Sequence, residues 1–263
     1  MSETPSVYIN VPAVIFAFII EVSLIFIYSF INIKYYKGKL FTIIIGIVGF
    51  FSSVFIEGII LSLLSKLFGQ DSDFLIPFTL AFPGIFEETG RYVCYKYLLK
   101  NEKNKITAIS YGIGHGGFES LFLGASLLRF LFIKETLVSQ GLLKQDVTFI
   151  QMFLSAWERF VCVFIQVSLS VMVFKAIKEN NIKFYILAIV LHDFIDFFAF
   201  LYQKSILSNI YVIELFISIF ALFLSRYAYK LYINLENENV KNEKKEENFF
   251  PLKDKKEEQE EKV

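Results

Sequence analysis

Histidine and cysteine are scarce in this chain, with two of each among 263 residues. Two cysteines build no disulfide framework. Cys94 and Cys162 both fall in long apolar runs, where we expect them to serve as small apolar side chains. An excess of charge of either sign is also lacking, because 26 Lys and Arg balance 26 Asp and Glu. The composition therefore gives no indication of a nucleic-acid partner.

Apolar residues are abundant instead: they make up 55% of the chain, and the mean hydropathy is +0.54. The sequence divides into apolar blocks of about 20 residues or more, the length that crosses a hydrocarbon layer of roughly 30 Å as a helix. These blocks predict an all-α, polytopic transmembrane bundle of about seven spans without a significant sheet. The spans lie near 11–33, 40–64, 74–99, 105–132, 148–175, 183–203 and 209–232.

The charges of the linkers predict the topology. The linkers "KYYKGK", "KNEKNK" and "KAIKENNIK" are basic, and those between them are acidic or nearly neutral. Because cytoplasmic loops carry the excess of Lys and Arg, we expect an extracytoplasmic N-terminus and a cytoplasmic C-terminus in a cell-membrane protein. Residues 1–233 should form the helical domain, and residues 234–263, rich in Lys and Glu, a disordered cytoplasmic tail.

Costly polar residues collect at one depth of these spans. Since a helix rises about 1.5 Å per residue, about ten residues reach the bilayer midplane. His115 and His192 both lie at that distance from the predicted cytoplasmic ends of their spans. The same depth holds Glu87, Glu88, Arg91, Glu158, Arg159, Asp193 and Asp196. Each would cost about 2.5–3.5 kcal/mol if ionised in lipid, so a polar, water-accessible cavity inside the bundle is predicted.

Helical spacing groups these residues further. Residues four apart share one helix face, which pairs Glu87 with Arg91, His115 with Glu119, and His192 with Asp196. Glycines surround His115 in "YGIGHGGFE", and small residues let membrane helices approach closely. We also expect these glycines to leave room for a substrate beside the imidazole.

Two kinds of chemistry fit such a site. A glutamate in a low-dielectric pocket is suited to act as a general base on water. Two histidines with a carboxylate also suit a catalytic zinc ion, with His115, His192 and Glu119 as candidate ligands. Asp196 would then fix the tautomer of the His192 ring. Arg91 would neutralise and orient the glutamate pair Glu87 and Glu88. Glu119 could equally be a hydrogen-bond partner of His115 or a polar residue facing the cavity.

Three motifs carry a resemblance to a known family. "FEETGR" at 86–91, "YGIGHGGFE" at 111–119 and "LHDFID" at 191–196 resemble the motifs of the YhfC family of intramembrane metalloproteases, and "WERF" at 157–160 also looks typical of it. That family is similar to the CAAX prenyl protease and bacteriocin-processing membrane enzymes.

The resemblance implies intramembrane peptide-bond hydrolysis, with catalytic roles for Glu87, Glu88, Arg91, His115, His192 and Asp196. It leaves the metal open, because the wider group includes glutamate-dependent enzymes. Only two residues separate Glu88 from Arg91, where the wider pattern has three, so either Glu87 or Glu88 could be the base. We favour Glu87 because it shares a face with Arg91.

Two other classes of function compete with a protease. A proton-coupled transporter or channel would use a relay of acids and histidines at the midplane, but the sequence shows no internal repeat of the transporter kind. A membrane scaffold without catalysis would not explain why the costly groups are level with each other. For the protease, the expected partners are membrane lipids and a membrane-embedded or lipidated peptide or protein substrate.

Overall fold

Seven long helices account for nearly all of the regular structure in the part of the chain that the computed structural model describes, which is residues 7–69, 72–102, 104–143 and 146–249. For 236–249 it describes the backbone alone. The helices are α1 Val11–Tyr36, α2 Leu40–Phe68, α3 Ile76–Val93, α4 Ile106–Ser139, α5 Phe149–Lys178, α6 Ile182–Gln203 and α7 Ile210–Phe249. No strand occurs within these ranges, where one isolated bridge joins Ile9 to Val147. The prediction of an all-helical bundle is confirmed.

Five of the described helices are long and apolar enough to cross a membrane: α1, α2, α5, α6 and α7, the last over Ile210–Leu235. Helices α3 and α4 occupy the third and fourth predicted spans but are more polar. The reason is that they carry "FEETGR" and "YGIGHGGFE". Two of the three sequence motifs therefore lie on the helices that are least like ordinary membrane spans.

Contacts between linkers agree with the predicted alternation of sides. The backbone of Tyr8 and Asn10 bonds to Val147 in the α4–α5 linker, which was predicted to lie on the same side as the N-terminus. At the other end of the bundle, Lys39 forms an ion pair with Glu102 at 2.7 Å, joining two linkers predicted to be cytoplasmic. These contacts support the prediction of which linkers lie on the same side of the membrane.

The last helix continues past the predicted end of the seventh span, to Phe249. This differs from the disorder predicted from residue 234, and a physical reason is that Glu and Lys are good helix formers. Residues 250–263 lie outside the described residues, so disorder of that part of the tail stays a prediction.

Helix α4 lies at the centre of the bundle and packs against α1, α2 and α5. Its N-terminal half is almost entirely buried, from Thr107 to Gly117. A Cβ atom at Gly114 would lie 2.0 Å from the carbonyl oxygen of Ile43 in α2, and one at Gly116 would lie 2.7 Å from the side chain of Gln166 in α5. Neighbouring helices therefore occupy the space beside these glycines. The expectation that the glycines leave room for a substrate is wrong.

Substituting Gly114 by alanine tests this close packing. We expect Gly114→Ala to lower the free energy of unfolding in detergent micelles by roughly 1–3 kcal/mol, because the α2 backbone cannot yield without shifting the helix. The matched control is Gly58→Ala, since a Cβ there meets nothing within 4 Å. The control should be neutral or slightly stabilising. Equal stability of the two variants would contradict the packing argument.

Candidate active site

Glu87 and His115 form the first of two carboxylate–imidazole pairs. Oε2 of Glu87 lies 2.8 Å from Nε2 of His115, so α3 is joined to α4 at this point. The His115 side chain is fully buried, and the ring of Phe50 packs edge-on against it with centroids 5.2 Å apart. Nδ1 of His115 has no hydrogen-bond partner among the described residues. The ring is thus held by packing and by its contact with Glu87.

Glu88 and His192 form the second pair. Oε1 of Glu88 lies 2.9 Å from Nδ1 of His192, which joins α3 to α6. The same oxygen lies 3.5 Å from Nη2 of Arg91, and the side chains of Glu88 and Arg91 are fully buried. Arg91, expected to neutralise and orient the glutamate pair, thus forms its ion pair with Glu88. Successive glutamates of α3 point to different histidines on different helices.

The two pairs meet at Glu87. Nε2 of His192 lies 3.8 Å from Oε2 of Glu87, the same oxygen that contacts His115. Nε2 of His192 also lies 3.6 Å from Oδ2 of Asp196. The tautomer of His192 is set by Glu88 at Nδ1, the role expected for Asp196. Asp196 instead lies at the open edge of the cluster, with a side chain that is 36% exposed.

A chain of polar contacts leads away from the pairs into α5. Arg91 donates from Nη1 to the backbone carbonyl of Gln166 at 3.0 Å and from Nη2 to its side-chain oxygen at 2.6 Å. Gln166 in turn donates to Glu119 at 2.9 Å. Arg159 donates to the other oxygen of Glu119 at 2.7 Å and also pairs with Glu158. This network links α3, α4 and α5 through buried charges.

The structure brings Glu87, Glu88, Arg91, His115, His192 and Asp196 together, as the common depth predicted. It does not bring Glu119 against either imidazole, because both oxygens of Glu119 accept hydrogen bonds from α5. Gln166 was missed by the sequence analysis. The available signal was a polar side chain in the middle of the apolar run of α5, at the depth of the other polar residues.

Other acidic residues of the spans have separate surroundings. Asp193 accepts a hydrogen bond from the backbone N–H of Gly84 at 2.9 Å, directly after Pro83 within α3. Glu57 of α2 lies within electrostatic range of Glu87, His192 and Asp196. Glu21 accepts a hydrogen bond from Ser155 and lies outside the two pairs.

The arrangement suits hydrolysis chemically. A carboxylate that faces two imidazoles can take a proton from a water molecule and return it later. An imidazole with its far nitrogen bonded to a carboxylate can donate from its near nitrogen to a developing oxyanion. Glu87 and His192 fulfil these two conditions within 3.8 Å of each other.

Comparisons with known proteins match most of the chain. A family model described as "YhfC intramembrane metalloprotease" matches residues 18–217, a range that contains both pairs and the network. The chain is 29% identical over 157 residues to a protein of Bacillus subtilis (strain 168) named "Uncharacterized membrane protein YhfC". That match covers 52% of this chain and 61% of the relative, so the chain spans about three fifths of that protein.

The family description implies a metal ion, and the donor types for zinc are present in His115, His192 and Glu87. Their arrangement does not fit one: among the described residues there is no group of three or more His, Cys, Asp or Glu side chains placed to hold a metal. A contact of 2.8 Å between Nε2 of His115 and Glu87 is a hydrogen bond, which engages the lone pair or carries the proton where an ion would bind.

Gln166 offers a test of the polar network. We expect Gln166→Leu to lower the free energy of unfolding by roughly 2–4 kcal/mol, because Arg91 and Glu119 each lose a buried partner. The measurement is thermal or denaturant unfolding in micelles. Ser168→Ala on the same helix is the control and should change stability by less than about 1 kcal/mol, since that hydroxyl bonds mainly to its own helix. A Gln166→Leu variant as stable as the control would show that the network contributes little.

Proposed function

Because this chain belongs to the YhfC intramembrane metalloprotease family, we propose that it is an intramembrane endopeptidase in which Glu87 activates the water that attacks a peptide bond. The observation that supports this most is the position of Oε2 of Glu87, 2.8 Å from Nε2 of His115 and 3.8 Å from Nε2 of His192. A water molecule and a substrate carbonyl placed next to this oxygen would be within reach of Glu87 as the base and of His192 as the hydrogen-bond donor.

Glu87 is the better base of the two glutamates. The oxygen of Glu88 that faces the site is already engaged by His192 and Arg91, and its side chain is fully buried. Glu87 keeps a side chain that is 9% exposed and points to both rings. The choice of Glu87 as the base thus rests on this geometry and no longer on the helix face that it shares with Arg91.

The reaction begins when Glu87 removes a proton from water and the oxygen attacks the peptide carbonyl carbon. His115 orients the carboxylate through its 2.8 Å contact. In its imidazolium form, His192 keeps both protons: its Nδ1–H hydrogen-bonds to Glu88, and its Nε2–H hydrogen-bonds to the oxyanion and stabilises it. The carbon–nitrogen bond then breaks, and Glu87 returns its proton to the departing amine. Arg91 acts through Glu88 and is a positioning residue.

The proposal includes the setting of the enzyme. It is a multi-pass membrane protein, and we place its N-terminus outside the cytoplasm and its C-terminus inside, following the linker charges. Its substrates are membrane-embedded or lipidated peptides or proteins, since these reach a site between transmembrane helices. The predicted likeness to CAAX prenyl proteases remains part of this proposal.

Substitution of Glu87 tests the mechanism. Glu87→Gln should abolish new peptide N-termini that mass spectrometry detects in membranes of cells expressing the wild-type chain. It should lower cleavage at least roughly a hundredfold, the scale of a lost general base. Glu88→Gln should lower the cleavage rate by a smaller factor, because it alters the hydrogen bond that orients the His192 ring. The matched control is Glu214→Gln in α7, a buried glutamate outside both pairs, which should cleave like wild type.

Two results would contradict the proposal. Cleavage that survives Glu87→Gln would remove Glu87 as the base. Ion flux through reconstituted wild-type protein, without any Glu87-dependent cleavage, would favour the transporter that the sequence left as an alternative.

Metal content tests the remaining choice of mechanism. Because His115 bonds to Glu87 in the described arrangement, we expect purified protein to keep its cleavage activity after chelation and to hold less than stoichiometric zinc. The measurement is elemental analysis together with activity of the wild type, His115→Ala and His192→Ala. Stoichiometric zinc that is lost in both histidine variants would establish a metalloprotease with the two rings as ligands.

A further inference from the structure

A polar cavity of about 580 Å³ opens between α2, α3 and α6. Its lining includes Ser65, Asp73, Thr79, Pro83, Asp196 and Gln203. Asp196 is the residue of the catalytic cluster that reaches this lining, and it is also the most exposed member of that cluster. The cavity is therefore the described space through which a substrate chain can come to the two pairs.

The helix register shows that the cavity leads inward to the catalytic residues. On α3, Pro83 in the lining precedes Glu87 by one helical turn. On α6, Asp196 in the lining follows His192 by one turn. The mouth lies where α3 begins and α6 ends, which linker charges place on the extracytoplasmic side. Two helical turns of wall are about 11 Å, so roughly three extended residues fit between mouth and floor.

Glu57 stands at the inner end of the α2 wall. Residues 57, 61 and 65 recur every fourth position, so Glu57 shares the helix face of Leu61 and Ser65, both of which line the cavity. Its carboxylate is within electrostatic range of Glu87, Asp196 and His192. Within the described part of the chain, no hydrogen bond or ion pair reaches this carboxylate. Glu57 is therefore a half-buried acid beside the site, and no contact among the described residues explains why an acid lies there.

The charges along the cavity are unevenly distributed. Asp196 lines the inner end, the register of α2 places Glu57 one turn inward of Leu61, and Asp73 lies near the mouth. The cation in the lining is Lys204, two turns beyond Asp196 and next to the ring of Phe200. At the inner end, His192 is the cation that faces Asp196 and Glu87, and a positive side chain arriving with a substrate would help it offset these carboxylates and Glu57.

We propose that the substrate chain enters through this cavity in an extended form, and that Glu57 together with Asp196 selects a Lys or Arg side chain beside the scissile bond. The selection rests on the proposed peptidase function, but the charge preference of the cavity does not, so each can fail separately. Glu57 is here a specificity-determining residue and takes no part in the bond-breaking step.

Thiol modification measures the charge preference without any substrate. Ala199 lines the cavity one turn from Asp196, so Ala199→Cys places a thiol near its inner end. The probes are a cationic and an anionic methanethiosulfonate reagent, applied to the full chain in vesicles. The unsubstituted chain, with Cys94 and Cys162, provides the background.

We expect the cationic reagent to be favoured by roughly tenfold over the anionic one, after division by their rates on a free thiol. Adding Glu57→Gln should reduce that preference by about threefold or more, whereas Glu214→Gln should leave it unchanged. A thiol that does not react, a preference for the anionic reagent, or a preference that Glu57→Gln does not alter would each overturn the proposal.

Cleavage products supply the second measurement. New N-termini that depend on Glu87 should be flanked by Lys or Arg more often than the membrane proteome average, and Glu57→Gln should remove this bias while cleavage continues. Cuts without the bias would refute the selection but leave the peptidase intact. If no Glu87-dependent cuts occur, the peptidase function fails, and thiol modification alone decides the charge of the cavity.

Discussion

Neutralising carboxylates inside a membrane is the constraint on which the rest of this structure depends. Each unpaired charge at a helix centre costs about 2.5–3.5 kcal/mol. Three glutamates of α3 and α4 meet this constraint through a donor on another helix. Glu87 meets His115 on α4, Glu88 meets His192 on α6, and Glu119 meets α5. The charges that make chemistry possible are thus also the contacts that hold these helices in register.

The polar interior has two parts with different tasks. Toward α6, His192 lies 3.8 Å from Glu87 and 3.6 Å from Asp196, longer than hydrogen bonds, and Asp196 reaches a cavity. Toward α5, Gln166 and Arg159 take every oxygen of Glu119 and close the network. The open part suits hydrolysis, and the closed part suits support. The adjacent glutamates of α3 serve both parts. Glu87 belongs to the open part, and Glu88 is joined through Arg91 to the closed network.

The sequence predicts how deep each residue lies much better than which residue it touches. Apolar block length and rise per residue placed the helices and brought both histidines to the level of Glu87 and Glu88. The rotation of each helix about its axis, and which helices are neighbours, do not follow from depth. For that reason the partner of His192 was expected to be Asp196, and the link made by Gln166 was missed. A residue four positions away on the same helix competes for contact with every side chain that a neighbouring helix brings close.

The crowded glycines of α4 have a consequence for motion. With the backbone of α2 and the side chains of α5 directly against Gly114 and Gly116, this helix can neither rotate nor slide without a clash. His115 is consequently a fixed reference point within the bundle. The outer half of α2 and the end of α6, which line the cavity, are by contrast more exposed than α4. The bundle thus combines one tightly packed helix, α4, with an exposed wall at the cavity.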